Sequence, residues 1–256
     1  MDNLVLIFIL AKKITTDFSK NITLNKMSEL KNIDVYIVSW GGVGTTSFMK
    51  WLQDNNIKVN NLSDTDSFKP GDQYGSGIKH IPHPLHHRLA KYKINKAIFI
   101  YDDVINSIVS LWKRNYQSPQ VKKLTGNRNE IPREWTLQDY VSNNEDLFEF
   151  QQMYENWTET EKPYDCLFIK GQEIYKHRFH ILKFLNLPIK TKYFHHHFRN
   201  NEWTNDLEPS VKEGLYNMYG GFNDFILCKP DIQIQKKNSI ELINLTVSSN
   251  KIKRIY

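Results

Sequence analysis

The sequence predicts an α/β protein, with a mainly parallel sheet and helices on both faces. Apolar, β-branched runs at 35–38, 97–101 and 165–170 have the length and composition of strands buried on both sides. Segments with apolar residues at helical spacing separate these runs, the alternation that builds a parallel sheet. The first run also passes through Gly41, Gly42 and Gly44 directly into such a segment, which is the layout of a phosphate-binding loop.

Taken in order, residues 1–30 read as an N-terminal extension. Its apolar stretch at 4–10 is far shorter than the ~20 residues a membrane helix needs, and it lacks a basic leader and a cleavage site. The α/β domain spans 31–228. After the strand at 35–38, Phe48, Trp51 and Leu52 mark the inner stripe of a helix. Residues 57–62 alternate as a short strand, and 63–77 carry turn chemistry. Residues 78–84 are held extended by Pro82 and Pro84, and 85–92 read as a short helix. The strand at 97–101 leads into a helix over 102–114 that opens on acids complementing its dipole. Residues 115–133, basic and poor in apolar residues, read as a surface excursion of the kind that serves as a lid or binding loop. Thr136, with Asp139 three residues on, caps a helix running to about 159. The strand at 165–170 is followed by a helix over 173–185 that Pro188 stops. Residues 229–256 read as a polar and basic tail with some β alternation.

Composition narrows the class. The chain has 256 residues, of which 40% are hydrophobic and 24% charged, as in a globular protein and unlike a disordered or fibrous one. The net charge of +6 favours an anionic ligand, but the basic residues form no run or stripe, so nucleic acid is not indicated. The two cysteines, Cys166 and Cys228, lack metal-type spacing and point to a reducing, cytoplasmic setting. No metal site is expected, since the histidines lack the cysteine or carboxylate spacing of one. The oligomeric state is not legible.

The glycine stretch departs from the Walker A pattern, because Thr45 stands where the lysine would be and Ser39 replaces the first glycine. An ordinary ATPase or kinase is therefore disfavoured. The run Val43, Gly44, Thr45, Thr46, Ser47 instead resembles the 5′-phosphosulfate loop of the sulfotransferases, with Gly41 and Gly42 where that family has proline and lysine. Laid on the same pattern, Ser110 falls on the serine that holds the 3′-phosphate of PAPS (3′-phosphoadenosine 5′-phosphosulfate), and Asn106 falls near a family aspartate. Asp102 occupies the place of the phosphate-binding arginine, with the wrong sign of charge; Lys113, Arg114 or Arg199 would have to supply that charge. Lys79 and His80, ahead of Ile81 and Pro82, resemble the segment that carries the family's general base. Residues 164–188 are similar to the family's strand, acidic turn and helix. Residues 198–207 resemble its late phosphate-binding segment, which implies Arg199 on the 3′-phosphate and Trp203 beside the loop.

The resemblance covers about 35–219. It implies transfer of a sulfonate group from PAPS to a hydroxyl or amine of a small molecule or glycan. His80 would be the base, Lys79 the cation nearest the sulfonate, and Gly41, Gly42, Val43, Gly44, Thr45, Thr46, Ser47, Ser110, Arg199 and Trp203 the nucleotide contacts. PAPS would be the co-substrate, alongside an unidentified acceptor. Two alternatives stay open: a non-catalytic nucleotide- or anion-binding protein on the same fold, and an atypical P-loop kinase.

Overall fold

A computed structural model describes residues 30–60, 78–188 and 204–245. Most of the expected N-terminal extension, the end of the short strand expected at 57–62, the turn segment at 63–77, Arg199, Trp203 and the end of the tail lie outside these residues. The core is a five-stranded sheet in the order β1-β2-β3-β4-β5, formed by β1 (Lys31–Ser39), β2 (Tyr92–Tyr101), β3 (Asp165–Lys170), β4 (Ile232–Gln235) and β5 (Leu242–Asn244). β1, β2 and β3 are parallel, whereas β4 and β5 join antiparallel, so the sheet is mixed rather than mainly parallel. The difference arises in the segment read as a tail, whose Ile232 and Ile234 pair beside β3 and extend the sheet.

Among the described residues seven helices surround the sheet: α1 (Thr45–Asp54), α2 (Val104–Lys113), α3 (Gln117–Thr125), α4 (Leu137–Asn143), α5 (Phe150–Glu159), α6 (Arg178–Leu185) and α7 (Pro209–Cys228). Tyr36, Val38, Phe99, Tyr101 and Phe168 alternate onto one face of the strands. There Phe99 lies 5.6 Å from Trp157 of α5, and Tyr101 lies 5.4 Å from Tyr154, which in turn reaches Phe222 of α7. On the opposite face Ile37, Ile98, Ile100, Leu167 and Ile169 are equally closed to solvent. Burial on both faces explains why these runs are continuously apolar instead of alternating.

The outer edge of β1 is covered without a full strand. Val59 makes one parallel bridge to Val35, standing for the strand expected at 57–62. Next to it the Asn60 side chain does the work of a backbone: its amide oxygen accepts from Ile37 N at 2.8 Å, and its amide nitrogen donates to Ile37 O at 2.8 Å. Ser39 N then donates to Lys79 O at 3.0 Å. The chain thus leaves β1, covers its outer edge at 59, and returns on the other side as β2. That reversal makes the carboxyl end of β1 a topological switch point, where open α/β sheets hold their ligands.

Three helical expectations change. Residues 115–133 are not an excursion, for they contain α3, capped by Gly126 at φ 63°. The helix expected over 136–159 has the predicted Thr136–Asp139 capping box but breaks into α4 and α5. Asn144 and Glu149 at the break have φ of 53° and 56°, and Asp146 accepts from Phe148 N and Glu149 N, each at 3.1 Å, as a local turn. The helix expected from 173 starts only at Arg178, after a single 3₁₀ turn at Gly171–Glu173.

Candidate functional site

β1 ends in a buried apolar run, and the chain must turn sharply to start α1. Gly41, Gly42 and Gly44 make that turn with φ of 97°, 81° and 74°, a backbone region that L side chains rarely enter. Packing adds a second constraint, strict at Gly42 where backbone is met and softer at Gly41 where the end of a side chain is met. A Cβ on Gly41 would stand 2.8 Å from the Gln120 amide nitrogen, and one on Gly42 would stand 2.9 Å from the Cα and O of Ser107. A side chain therefore does not fit at Gly42 without a shift of the Ser107 backbone.

The loop ends at Gly44, the N-cap of α1, which offers no side chain to cap the helix. The first N–H groups of α1 are left without helical partners at the positive end of its dipole. The Thr45 hydroxyl donates to Ser39 Oγ at 2.8 Å, so its side chain is committed to the core. Thr46 and Ser47 are exposed.

The segment beside β1, expected to be extended, instead makes a turn at Lys79 and His80 and brings in these two residues. It is clamped by Tyr36 Oη donating to Ile78 O, Ser39 N donating to Lys79 O, and Trp157 Nε1 donating to Ile81 O at 3.0 Å. Between these clamps Lys79 and His80 are each 8% exposed. His80 Nδ1 lies 2.6 Å from Ser39 O, and a carbonyl can only accept, so Nδ1 carries the proton. In that tautomer the lone pair of the uncharged ring is at Nε2.

These pieces meet in one cleft of about 520 Å³, lined by the whole run from Gly41 to Ser47, by Lys79 and His80, and by Leu111, Arg114, Tyr116 and Gln120. Its volume lies within the range of small-molecule sites. Among the described residues no carboxylate pairs with Lys79 or Arg114. A glycine cradle, uncapped helix N–H groups and two cations without a counter-ion together form an environment for a phosphate or sulfate group.

Other predicted contacts are placed differently. Ser110 is buried on α2 and does not line the cleft; its carbonyl accepts from Arg114 Nε at 2.9 Å. Lys113 turns away to Asp206, 3.6 Å distant. Asp102 is spent on structure, since its carboxylate accepts from Asp103 N at 2.9 Å and Gln172 N at 2.8 Å, stapling the ends of β2 and β3 together. Burial raises its pKa to about 6. Asp102 thus adds stability below the ordinary carboxylate range, and that contribution is lost as pH rises through about 6.

Leu111 went unread in the sequence because it reads as an ordinary apolar residue of α2, and Tyr116 and Gln120 because α3 was not recognised. Its first half buries Gln117, Ser118 and Gln120, polar residues that read as surface. Gln120 is tolerated inside because Nε2 donates to Trp40 O at 2.8 Å, tying α3 to the start of the glycine loop. Elsewhere, Glu173, His177 and Asp231 converge, but Lys176 already answers their charge, 3.0 Å from Glu173 and 2.6 Å from Asp231. Among the described residues no helix is long and apolar enough to cross a membrane. Comparison with protein-family models, with curated proteins and with solved structures returns no match.

Proposed function

We propose that this protein binds PAPS at the glycine loop and transfers its sulfonate group to a hydroxyl or amine acceptor. The observation that carries the reading is convergence. The loop from Gly41 to Ser47 and the pair Lys79 and His80, distant in the chain and read from separate motifs, line the same cleft at the switch point of the sheet. The α1 N–H groups suit the 5′-phosphate that leaves, and Lys79 supplies positive charge beside it. An acceptor oxygen or nitrogen forms the new bond to sulfur as the bond from sulfur to the phosphate oxygen breaks, its electron pair passing to the phosphate. His80 Nε2 takes the acceptor proton.

One observation favours the second reading, binding without transfer. Asp102, which stands at the position of a phosphate-binding arginine in the resemblance, is committed to backbone N–H groups and contributes nothing to a nucleotide.

Thermal unfolding tests both readings against a kinase. PAPS or adenosine 3′,5′-bisphosphate is expected to raise the melting temperature, with about 2.7 kcal/mol of stabilisation at a hundredfold excess over Kd. ATP with magnesium is expected to leave it unchanged, because the loop lacks a Walker lysine. Equal stabilisation by ATP selects the kinase. Stabilisation by the bisphosphate, without sulfated product from any acceptor class, selects the binding protein.

A further inference from the structure

The cleft has two flanks of different chemistry. Lys79 and His80 lie along the outer edge of β1, where Lys79 O receives Ser39 N. Leu111, Arg114, Tyr116 and Gln120 lie on the other side, on the elements that follow β2, and this flank presses on the loop through Ser107 and Gln120. A phosphate on the α1 N–H groups sits between them. If His80 serves the acceptor, the acceptor occupies the first flank, and the rest of the donor must extend over the second.

We propose that Arg114 and Tyr116 form the donor-specificity subsite, with Arg114 binding a second anionic group of the nucleotide and Tyr116 stacking on its base. This rests on the nucleotide reading above. Arg114 is the C-cap of α2, and Asn115 at φ 55° turns the chain so that Tyr116 N returns to Leu111 O at 2.9 Å. The turn sets the guanidinium 5.7 Å from the centre of the Tyr116 ring. Nε is anchored on Ser110 O at 2.9 Å, which fixes the plane of the group and leaves the two terminal nitrogens to donate. Tyr116 is 50% exposed, so its side chain is accessible to a planar ligand. Neighbouring cations are engaged elsewhere, Lys113 with Asp206 and Lys122 with Glu130. The arginine function missing at Asp102 is thereby supplied from the far end of the following helix.

The test is calorimetric titration of adenosine 3′,5′-bisphosphate and adenosine 5′-phosphate into the wild type, Arg114→Gln and Tyr116→Ala. Both positions are exposed, so the core is untouched. The wild type is expected to prefer the bisphosphate. Arg114→Gln should weaken bisphosphate binding about 10- to 100-fold, the scale of hydrogen bonds to a charged group, and leave the monophosphate unchanged. Tyr116→Ala should weaken both nucleotides alike, by about 5- to 100-fold. The inference is overturned if Arg114→Gln weakens both nucleotides equally or neither, or if Tyr116→Ala changes nothing. Failure of the wild type to bind either nucleotide overturns the nucleotide reading itself and this subsite with it.

Discussion

Replacing His80 with alanine is expected to slow the proposed sulfonate transfer by about 10²–10⁴-fold, the usual contribution of a positioned general base, while nucleotide affinity stays at the wild-type level. The expectation follows from how the ring is held. Its Nδ1 is committed to Ser39 O at 2.6 Å, and that carbonyl belongs to the last residue of β1, the same strand that launches the glycine loop. The proposed base and the proposed phosphate cradle are therefore fixed to one strand, which is what precise proton transfer needs. Steady-state kinetics with a sulfated-product readout measures the loss, and added imidazole should restore part of the rate. Unchanged turnover would remove His80 from the mechanism. A parallel loss of nucleotide affinity would make it a structural residue of the cleft.

The largest effect on the fold is expected from Gly42→Ala. The position combines φ of 81° with a Cβ site 2.9 Å from the Ser107 backbone, which cannot swing aside as a flexible side chain can. Left-handed backbone costs about 1–2 kcal/mol for a residue with a Cβ, and overpacking adds about 1–3 kcal/mol. A loss of about 2–5 kcal/mol in denaturant unfolding should result. Gly221→Ala is the matching control. It lies inside α7 with open space around it, so alanine there should stabilise by about 0.5–1 kcal/mol. Equal behaviour of the two variants would mean that the loop relaxes freely and that its glycines are not required by its shape.

The parts of the fold legible in the sequence are those where a single local rule decides. The runs through Ile37, Phe99 and Phe168 are apolar because both faces are covered, and Thr136 with Asp139 caps a helix as its spacing predicts. Elements fixed by tertiary contacts were not legible. α7 carries Gly214, Gly220 and Gly221, which lower helix propensity, yet Gly214 is what lets it close on α4: a Cβ there would meet Val141 at 1.9 Å. Its Asn223 accepts from Val104 N at 2.7 Å and caps α2 from a distance that no local pattern reveals. β4 was hidden because Gln233 and Gln235 are buried polar residues; Gln235 Nε2 finds its partner in Thr158 O at 3.0 Å.

The candidate site divides the same way. The glycine turn, Lys79 and His80 sit in contiguous motifs and could be read directly. Arg114 was one of three basic residues named for the missing charge, behind Arg199, whose context matched better but which lies outside the described residues; the turn at Asn115 and the pairing of Lys113 with Asp206 separate Arg114 from Lys113. The Asp102 departure had a sign but no explanation until its bond to Gln172 N, across to the turn after β3, was visible.

Backbone amide resonances give the most direct test that the glycine loop is the nucleotide site. On titration with adenosine 3′,5′-bisphosphate, the largest ¹H–¹⁵N shifts are expected at Gly41, Gly42 and the run from Gly44 to Ser47, with smaller shifts at Lys79, His80, Arg114 and Tyr116. A larger cavity of about 740 Å³ lies at the opposite, amino-terminal ends of β2 and β3, lined by Leu85, Leu89, Tyr92, Lys96 and Tyr164 among others. Shifts centred on that cavity, or a saturating titration that leaves Gly44, Thr45 and Thr46 unmoved, would contradict the assignment.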